Sequence, residues 1–275
     1  MTNIFHILIY LFILFILWIL IEAQVFRVRT TRIKNCKIPK SFNDFKIVFI
    51  SDIHYGRFFM AKRLMKIVNR INKLEPHIVI IGGDYLDTSV KSNKDVSKYL
   101  EEAFGILRKL ESKSGVFTVL GNHDYFNRKE SLLNEINSSS FKLLKNTKEF
   151  LNIGKDSIQL IGMDDLVKGY PEVNLLKEGS NVFTIAISHN PDFFGDYKNL
   201  INYDLGISGH THGGQVTFFG LYAPHTSSKY GQRYSKNIVH EENRDIVLTH
   251  GIGNGTLPIR FFAMPEIVEI SLEWE

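Results

Sequence analysis

Five short clusters carry the residues best suited to chemistry: Ser51-Asp52-Ile53-His54, Gly83-Asp84-Tyr85-Leu86-Asp87, Gly121-Asn122-His123-Asp124, Ser188-His189-Asn190 and Gly209-His210-Thr211-His212-Gly213-Gly214-Gln215. Carboxylate with imidazole is the borderline ligand set suited to manganese, iron, cobalt or zinc, rather than to calcium or thiophilic copper(I). Asp52 and His54 are separated by one residue, and so are His210 and His212. In extended backbone, positions i and i+2 project to one side, so both members of each pair can face one cation. A carboxylate shared by two cations about 3.5–4 Å apart would clamp both ends of an in-line displacement at phosphorus. Taken singly, each cluster has a plainer reading. Asp-x-His is common, Gly-Asp marks a turn, and Asn-His-Asp is a loop or helix cap. Turn chemistry does not ask for two histidines between glycines, and the ordered set of five carries the inference.

The elements that must position these clusters alternate along the chain. Lys46–Ile50, Ile78–Ile81 and Val116–Leu120 are short apolar, β-branched runs that read as buried strands, each ending at one of the first three clusters. Leu64, Ile67, Val68, Ile71 and Leu74 recur at helical spacing and are closed by Pro76, and residues 95 to 111 repeat that pattern. Further strands are expected at 158–161, 182–188, 204–208, 245–249 and 267–272. Strand, helix, strand, helix, then mostly strands, implies an α/β sandwich with sheets at its centre. In such sheets ligands collect beyond the carboxyl ends of strands, so the clusters can converge on one site. No GxGxxG or GxxxxGK[ST] occurs, so neither a dinucleotide site nor a nucleotide P-loop is signalled.

Composition narrows the field. The 275 residues are 44% hydrophobic and 23% charged, which suits one globular domain with an accessory segment and excludes a disordered or fibrous chain. Cys36 is the single cysteine, so no internal disulfide framework and no cysteine-built zinc or iron–sulfur site is available. The accessory segment is the N-terminus. Ile4 to Ile21 is apolar except for His6, and eighteen residues at about 1.5 Å each reach roughly 27 Å, near the hydrocarbon thickness. It is apolar all round, unlike an amphipathic core helix, and Ile21-Glu22-Ala23 is a poor cleavage site for a signal peptide. The expectation is a transmembrane anchor over 1–22, a basic linker over 23–44 and a catalytic domain over 45–275. Arg27, Arg29, Arg32, Lys34, Lys37 and Lys40 follow the span with no acidic residue among them, which places the C-terminal side in the cytoplasm by the positive-inside rule. The same stretch could rest on anionic headgroups.

With all five clusters in order, the sequence resembles the calcineurin-like metallophosphoesterases. Their pattern is Asp-x-His, Gly-Asp-x-x-Asp, Gly-Asn-His-Asp/Glu, His, then Gly-His-x-His. It is most similar to the single-pass bacterial branch, through Gly162-Met163-Asp164-Asp165, His210 to Val216, Gly251-Ile252-Gly253, Leu257 to Arg260 and Pro265-Glu266. The resemblance covers roughly residues 46 to 275 and implies a four-layer αββα sandwich preceded by one transmembrane helix in a bacterial inner membrane. It implies that Asp52, His54 and His212 hold one divalent cation and that Asn122, His189 and His210 hold a second, with Asp84 bridging. Manganese is expected first, with iron, zinc or cobalt as alternatives. A water activated between the cations would attack phosphorus, and His123, oriented by Asp87, would protonate the leaving oxygen; Asp124 reads as structural.

Two departures stand out. Where the protein Ser/Thr phosphatases have Arg after the position of Asp87, this chain has Thr88, which argues against a phosphoprotein substrate. Where the single-pass branch often has Arg, this chain has His250, which either alters phosphate contact or is a loop residue without a role. Arg260 either holds a phosphate or pairs with Glu266. The expected function is hydrolysis of a phosphodiester or pyrophosphate bond, with a UDP-linked lipid such as UDP-diacylglucosamine as the leading substrate. Alternatives are a broad-specificity enzyme for wall polymers or nucleotides, or a metal-free binding module, against which every ligand position is filled. Nucleic acid is not expected as a partner, since no basic-aromatic stripe occurs outside the linker. Phe58, Phe59, Met60, Leu64 and Met65 would form a lipid-facing collar or an ordinary helix packed on the sheet.

Overall fold

The computed structural model of the chain describes residues 2–126, 128–241, 243–255 and 257–275. Helix α1 (Thr2–Glu22) is followed by β1 (Arg27–Asn35), β2 (Phe45–Ile50), α2 (Ala61–Asn72), β3 (Ile78–Ile81), α3 (Asn93–Leu107), β4 (Val116–Thr118), α4 (Lys129–Asn137) and β5 (Lys142–Leu143). The second half holds β6 (Thr147–Ile153), β7 (Asp156–Gly162), β8 (Thr184–Ile187), α5 (Asp192–Asp196), β9 (Leu205–Ser208), β10 (Ile238–Glu241), β11 (Arg244–Leu248) and β12 (Glu266–Trp274). Two six-stranded sheets result, in the orders β1-β12-β2-β3-β4-β5 and β10-β11-β9-β8-β7-β6. The strands read from continuous apolar runs are the inner, mostly parallel ones, buried on both faces as such runs require.

Alternation along each strand sorts side chains between layers. Val48, Ile50, Val79 and Ile81 face Leu64, Ile67, Val68 and Ile71 of α2 and Leu100, Phe104 and Leu107 of α3. The intervening Ile47, Phe49, Ile78 and Ile80 face the other sheet, meeting Ile158, Leu160, Ile185, Ile207 and Val247. Beyond the second sheet, Ile161, Ala186 and Ile246 pack on Phe193 and Phe194 of α5 and on Tyr234. The order is therefore αββα, with a thin fourth layer made of the five-residue α5 and single 3-10 turns.

The basic stretch expected as a linker is instead part of the first sheet. β1 pairs in parallel with the last strand along its whole length, from Arg27 opposite Glu266 to Asn35 opposite Trp274. Its charges mask a β-branched run, Val28, Thr30, Thr31 and Ile33, and most of its basic side chains lie toward solvent, as suits an edge strand. Arg27 and Arg29 have a separate task. Both reach the fully buried Glu266 carboxylate, at 2.9 and 3.0 Å. The turn before β1 ties α1 to the sheet: Glu22 is buried, accepting from Trp18 Nε1 and from the Ala263 N–H, each at 2.9 Å. Helix α1 is long and apolar enough to cross a membrane, and most of its side chains are exposed.

Breaking a buried ion pair from one side leaves the other charge stranded. Glu266→Gln should destabilise the chain by about 3 kcal/mol, seen as a lower thermal unfolding midpoint in detergent. Adding Arg29→Met should recover part of that loss; an additive further loss would refute the pairing as the cause.

Candidate metal centre

The five clusters meet at the carboxyl ends of β2, β3, β4, β8 and β9. They form two groups of three ligands. The ligand atoms of Asp52, His54 and His212 lie within 4.8 Å of one another, and so do those of Asp84, His189 and His210. The expectation that His210 and His212 share one cation from geometry alone is thus not met. Neither pair sits on extended backbone: Asp52, His54, Asp84, His210 and His212 all have positive φ, from 44° to 68°. Left-handed turns at alternate residues send the two histidines of the last cluster to different groups. The groups face one another across Asp84. Its Oδ2 lies 3.3 Å from His189 Nε2 and 3.7 Å from His54 Nε2.

The residues fit divalent cations. His54 Nε2 and His212 Nε2 are 3.2 Å apart, and His189 Nε2 and His210 Nδ1 are 3.3 Å apart. The second pair's tautomers are set by their backs. His189 Nδ1 donates to the Gly82 carbonyl at 2.7 Å, and His210 Nε2 donates to the Ser227 carbonyl at 3.1 Å. In the neutral tautomers that these bonds select, the nitrogens that face each other both present lone pairs, which suits a cation between them. Asn122 Oδ1, in the turn after β4, is buried without a partner. Burial pushes the Asp84 pKa up, but His189, His54 and His123 more than reverse this and hold it well below the usual carboxylate range.

The loop carrying Asp84 is built from outside the ligand set. Asp124, read as structural, accepts from the backbone N–H groups of Asp84 (2.8 Å), Tyr85 (2.9 Å) and Gly121 (2.8 Å). Burial and the neighbouring Asp84 charge push its pKa up to about 7, against the pull of those three donors. Gly83, at φ 93°, lies so close to the Gly121 backbone that a Cβ there would collide with it.

The hydrogen bond by which Asp87 would orient His123 is not made in this structure, where His123 Nδ1 is buried without a partner. Asp87 Oδ1 accepts from the Ser89 N–H at 2.7 Å, closing its own turn, and Asp87 makes no hydrogen bond or ion pair to His123 among the described residues. Arg128 fixes this turn through the carbonyls of Leu86, Asp87 and Val90. His123 is held instead by its N–H to Asp84 Oδ1 at 2.9 Å and by its ring edge against His54, centroids 5.3 Å apart. Burial lowers its pKa, and Asp84 only partly offsets that.

Neither expectation for Arg260 holds. Its guanidinium is fully buried, and Glu266 is already taken by Arg27 and Arg29. Arg260 donates to the carbonyls of His212, Ala263, His250 and Gly253 at 2.6–2.9 Å, pinning the His212 turn to the two loops behind it. His250 is also buried, its ring against Gly213, and it does not line the metal cleft. Its pKa is lowered to about 4 by burial. The cleft, about 390 Å³, is walled by His54, Asp84, His123, His210 and His212 on one side and by Val216, Leu257 and Ile259 on the other, with Thr88 at its edge.

The family model for calcineurin-like phosphoesterases matches residues 45–214. The chain belongs to that family. This phosphoesterase is 30% identical to the uncharacterized metallophosphoesterase YkuE of Bacillus subtilis (strain 168) over 260 residues, 92% of this chain and 87% of that one. It is 26% identical to the phosphodiesterase YaeI of Escherichia coli (strain K12) over 234 residues, 83% and 82% of the two chains. Its fold is shared with a dimetal phosphatase from Danio rerio, with a TM-score of 0.50 at 13% identity over 76% of this chain and 88% of that one. The chain is thus a metal-dependent phosphoester hydrolase of the dinuclear kind, with two ligand clusters to match.

Positioning residues behind metal ligands typically change metal affinity by about 10–100-fold. Arg260→Lys keeps the charge but cannot reach four carbonyls. Titration of the metal-stripped full chain with Mn²⁺ should show one of two sites weakened by roughly that factor, with the other unchanged; equal affinity at both would refute the role.

Proposed function

We propose that this phosphoesterase cleaves a phosphodiester or pyrophosphate bond in a membrane-associated substrate, from the cytoplasmic side of a bacterial inner membrane. Asp52, His54 and His212 would hold one cation, Asn122, His189 and His210 the other, with Asp84 bridging and manganese the first candidate. The observation that carries the reading is Asp84 Oδ2 within 3.3 Å of His189 and 3.7 Å of His54, one carboxylate in reach of both clusters. When bound, such a pair lowers the pKa of water toward about 7 and offsets charge at phosphorus.

The chain's own residues supply the rest. Asp84 accepts the His123 N–H with one oxygen and turns the other to the ligand histidines. His123 Nε2 lies 3.8 Å from that second oxygen, on the cleft wall, where it can give its proton to the departing oxygen. Thr88 brings no positive charge to the cleft edge, which suits a diester better than a doubly charged monoester. The apolar α1 and the basic flank after it favour a lipid-linked phosphoester, a UDP-linked diacylglucosamine being the leading candidate. A broad-specificity enzyme acting on wall polymers or nucleotides is the second reading.

General acid help is worth roughly 10²–10⁴-fold. His123→Ala should lose activity in that range on alkyl phosphodiesters and much less on p-nitrophenyl esters, whose leaving group needs no proton; equal losses on both would remove His123 as the acid. Asp84→Asn should bind fewer than two Mn²⁺ per chain by elemental analysis and lose more activity than His123→Ala. The substrate is tested by a screen of the full chain in detergent with Mn²⁺, because a fragment beginning at residue 41 would lack β1. Turnover of nucleotides or wall polymers, but of no lipid phosphoester, would overturn the lipid reading.

A further inference from the structure

The surface beside α1 is unusually apolar. Residues 216–222 form a small hairpin, closed by the Phe218 N–H on the Tyr222 carbonyl at 2.8 Å. At its tip Phe219 is 73% exposed and Leu221 87% exposed. The hairpin lies against the strand-like stretch around Phe261, which bridges Val216 and gives its carbonyl to the Thr217 N–H. The Phe262 ring stands 5.2 Å from Phe219. Soluble monomers rarely expose such contiguous apolar groups without a partner.

Register against α1 says what the partner is. The Phe261 ring packs on Phe15 at 5.1 Å, Phe262 lies 6.5 Å from Trp18, and the Arg260 N–H donates to the Ile19 carbonyl at 3.1 Å. Phe15 is six residues before Ile21, the end of the apolar run, which is about 9 Å along the helix axis. The aromatic collar thus stands level with helix residues that would lie in hydrocarbon. Basic residues gather beside the chain that leaves the helix. Arg27 and Lys236 line the cavity under Phe219 and Phe262, and Arg57, Lys62 and Lys66 line a second one with Val25, Phe58 and Met60. Apolar side chains at the depth of the span and cations at the depth of its end match an anionic bilayer surface.

We propose that the 216–222 hairpin and the Phe261–Phe262 turn form a second membrane contact, by which the catalytic domain itself dips into an anionic bilayer. The proposal rests on α1 being a membrane span. It deepens the functional reading, because Val216 and Ile259, at the roots of the same two segments, wall the metal cleft. The cleft mouth then opens at headgroup level, and a lipid phosphoester enters laterally while its acyl chains remain in the bilayer. The collar expected around 57–74 is mostly not lipid-facing: Phe59 and Leu64 are buried, and only Phe58 and Met60 are exposed.

Cys36, the single cysteine, is exposed and replaceable by Ser. In that background, full-length Leu221→Cys, and separately Phe219→Cys, would be labelled with an environment-sensitive nitrobenzoxadiazole probe and reconstituted in phosphatidylcholine–phosphatidylglycerol vesicles. Lys155→Cys, at the turn between β6 and β7 away from the catalytic strand ends, is the control. Brominated acyl chains should quench the labels at 219 and 221, at a depth of roughly 5–10 Å below the headgroups, and leave the label at 155 bright. Chains that float with the vesicles while all three labels stay in water would overturn the second contact and leave anchoring intact. Chains that do not float would overturn both.

Discussion

One carboxylate decides the architecture of the site. Asp84 has to lie close to histidines contributed by both sheets, His54 from the first and His189 from the second, and its neighbours serve that placement. Its backbone sits in the left-handed region at φ 57°, a conformation that strains any residue with a side chain. Three donors from the same loop and the next one converge on Asp124 to hold it there. The glycines at 83 and 121 allow those two loops to touch through backbone alone. The same histidines hold the Asp84 carboxyl well below the usual carboxylate range, so that it stays ionised where it is buried.

Much of this was legible in the amino-acid sequence, for a definite reason. The inner strands are buried on both faces, so they read as unbroken β-branched runs, and the polar residues at their ends stand out against them. The edges were not legible in the same way. β1 alternates basic and β-branched residues and resembles a solvated tail, although two of its arginines neutralise a buried glutamate contributed by the far end of the chain. β6 is half-exposed and polar, and α4 is short, so neither gave a clear period. Inside the site, residue types were readable but backbone conformations were not. Alternate spacing in His210-Thr211-His212 suggests one shared side, whereas left-handed turns divide the two rings between clusters. Long-range roles were also hidden. Nothing near Arg260 in sequence announces that it grips carbonyls from three separate loops.

Strain and its remedies lie in different parts of the molecule. Five ligand residues at positive φ cost on the order of 1–3 kcal/mol each. The groups that offset this, Asp124, Arg260 and Arg128, are buried, bonded mainly to backbone groups, and lie outside the two clusters. Such an arrangement fixes the backbone of the loops that carry the two clusters from behind.

The parallel pairing of β1 with β12 has a consequence for biogenesis. Among the described residues β1 has one strand neighbour, Glu266–Trp274, which is synthesised far later in the chain. Until that strand has been made, β1 therefore has an open edge, and the Arg27 and Arg29 side chains lack the Glu266 carboxylate. Closure of the sheet must wait for β12 and then draw that strand back to the chain that leaves α1. A ribosomal stall or premature stop before β12 would leave the first sheet incomplete, with β1 and β2 both lacking the strand that lies between them.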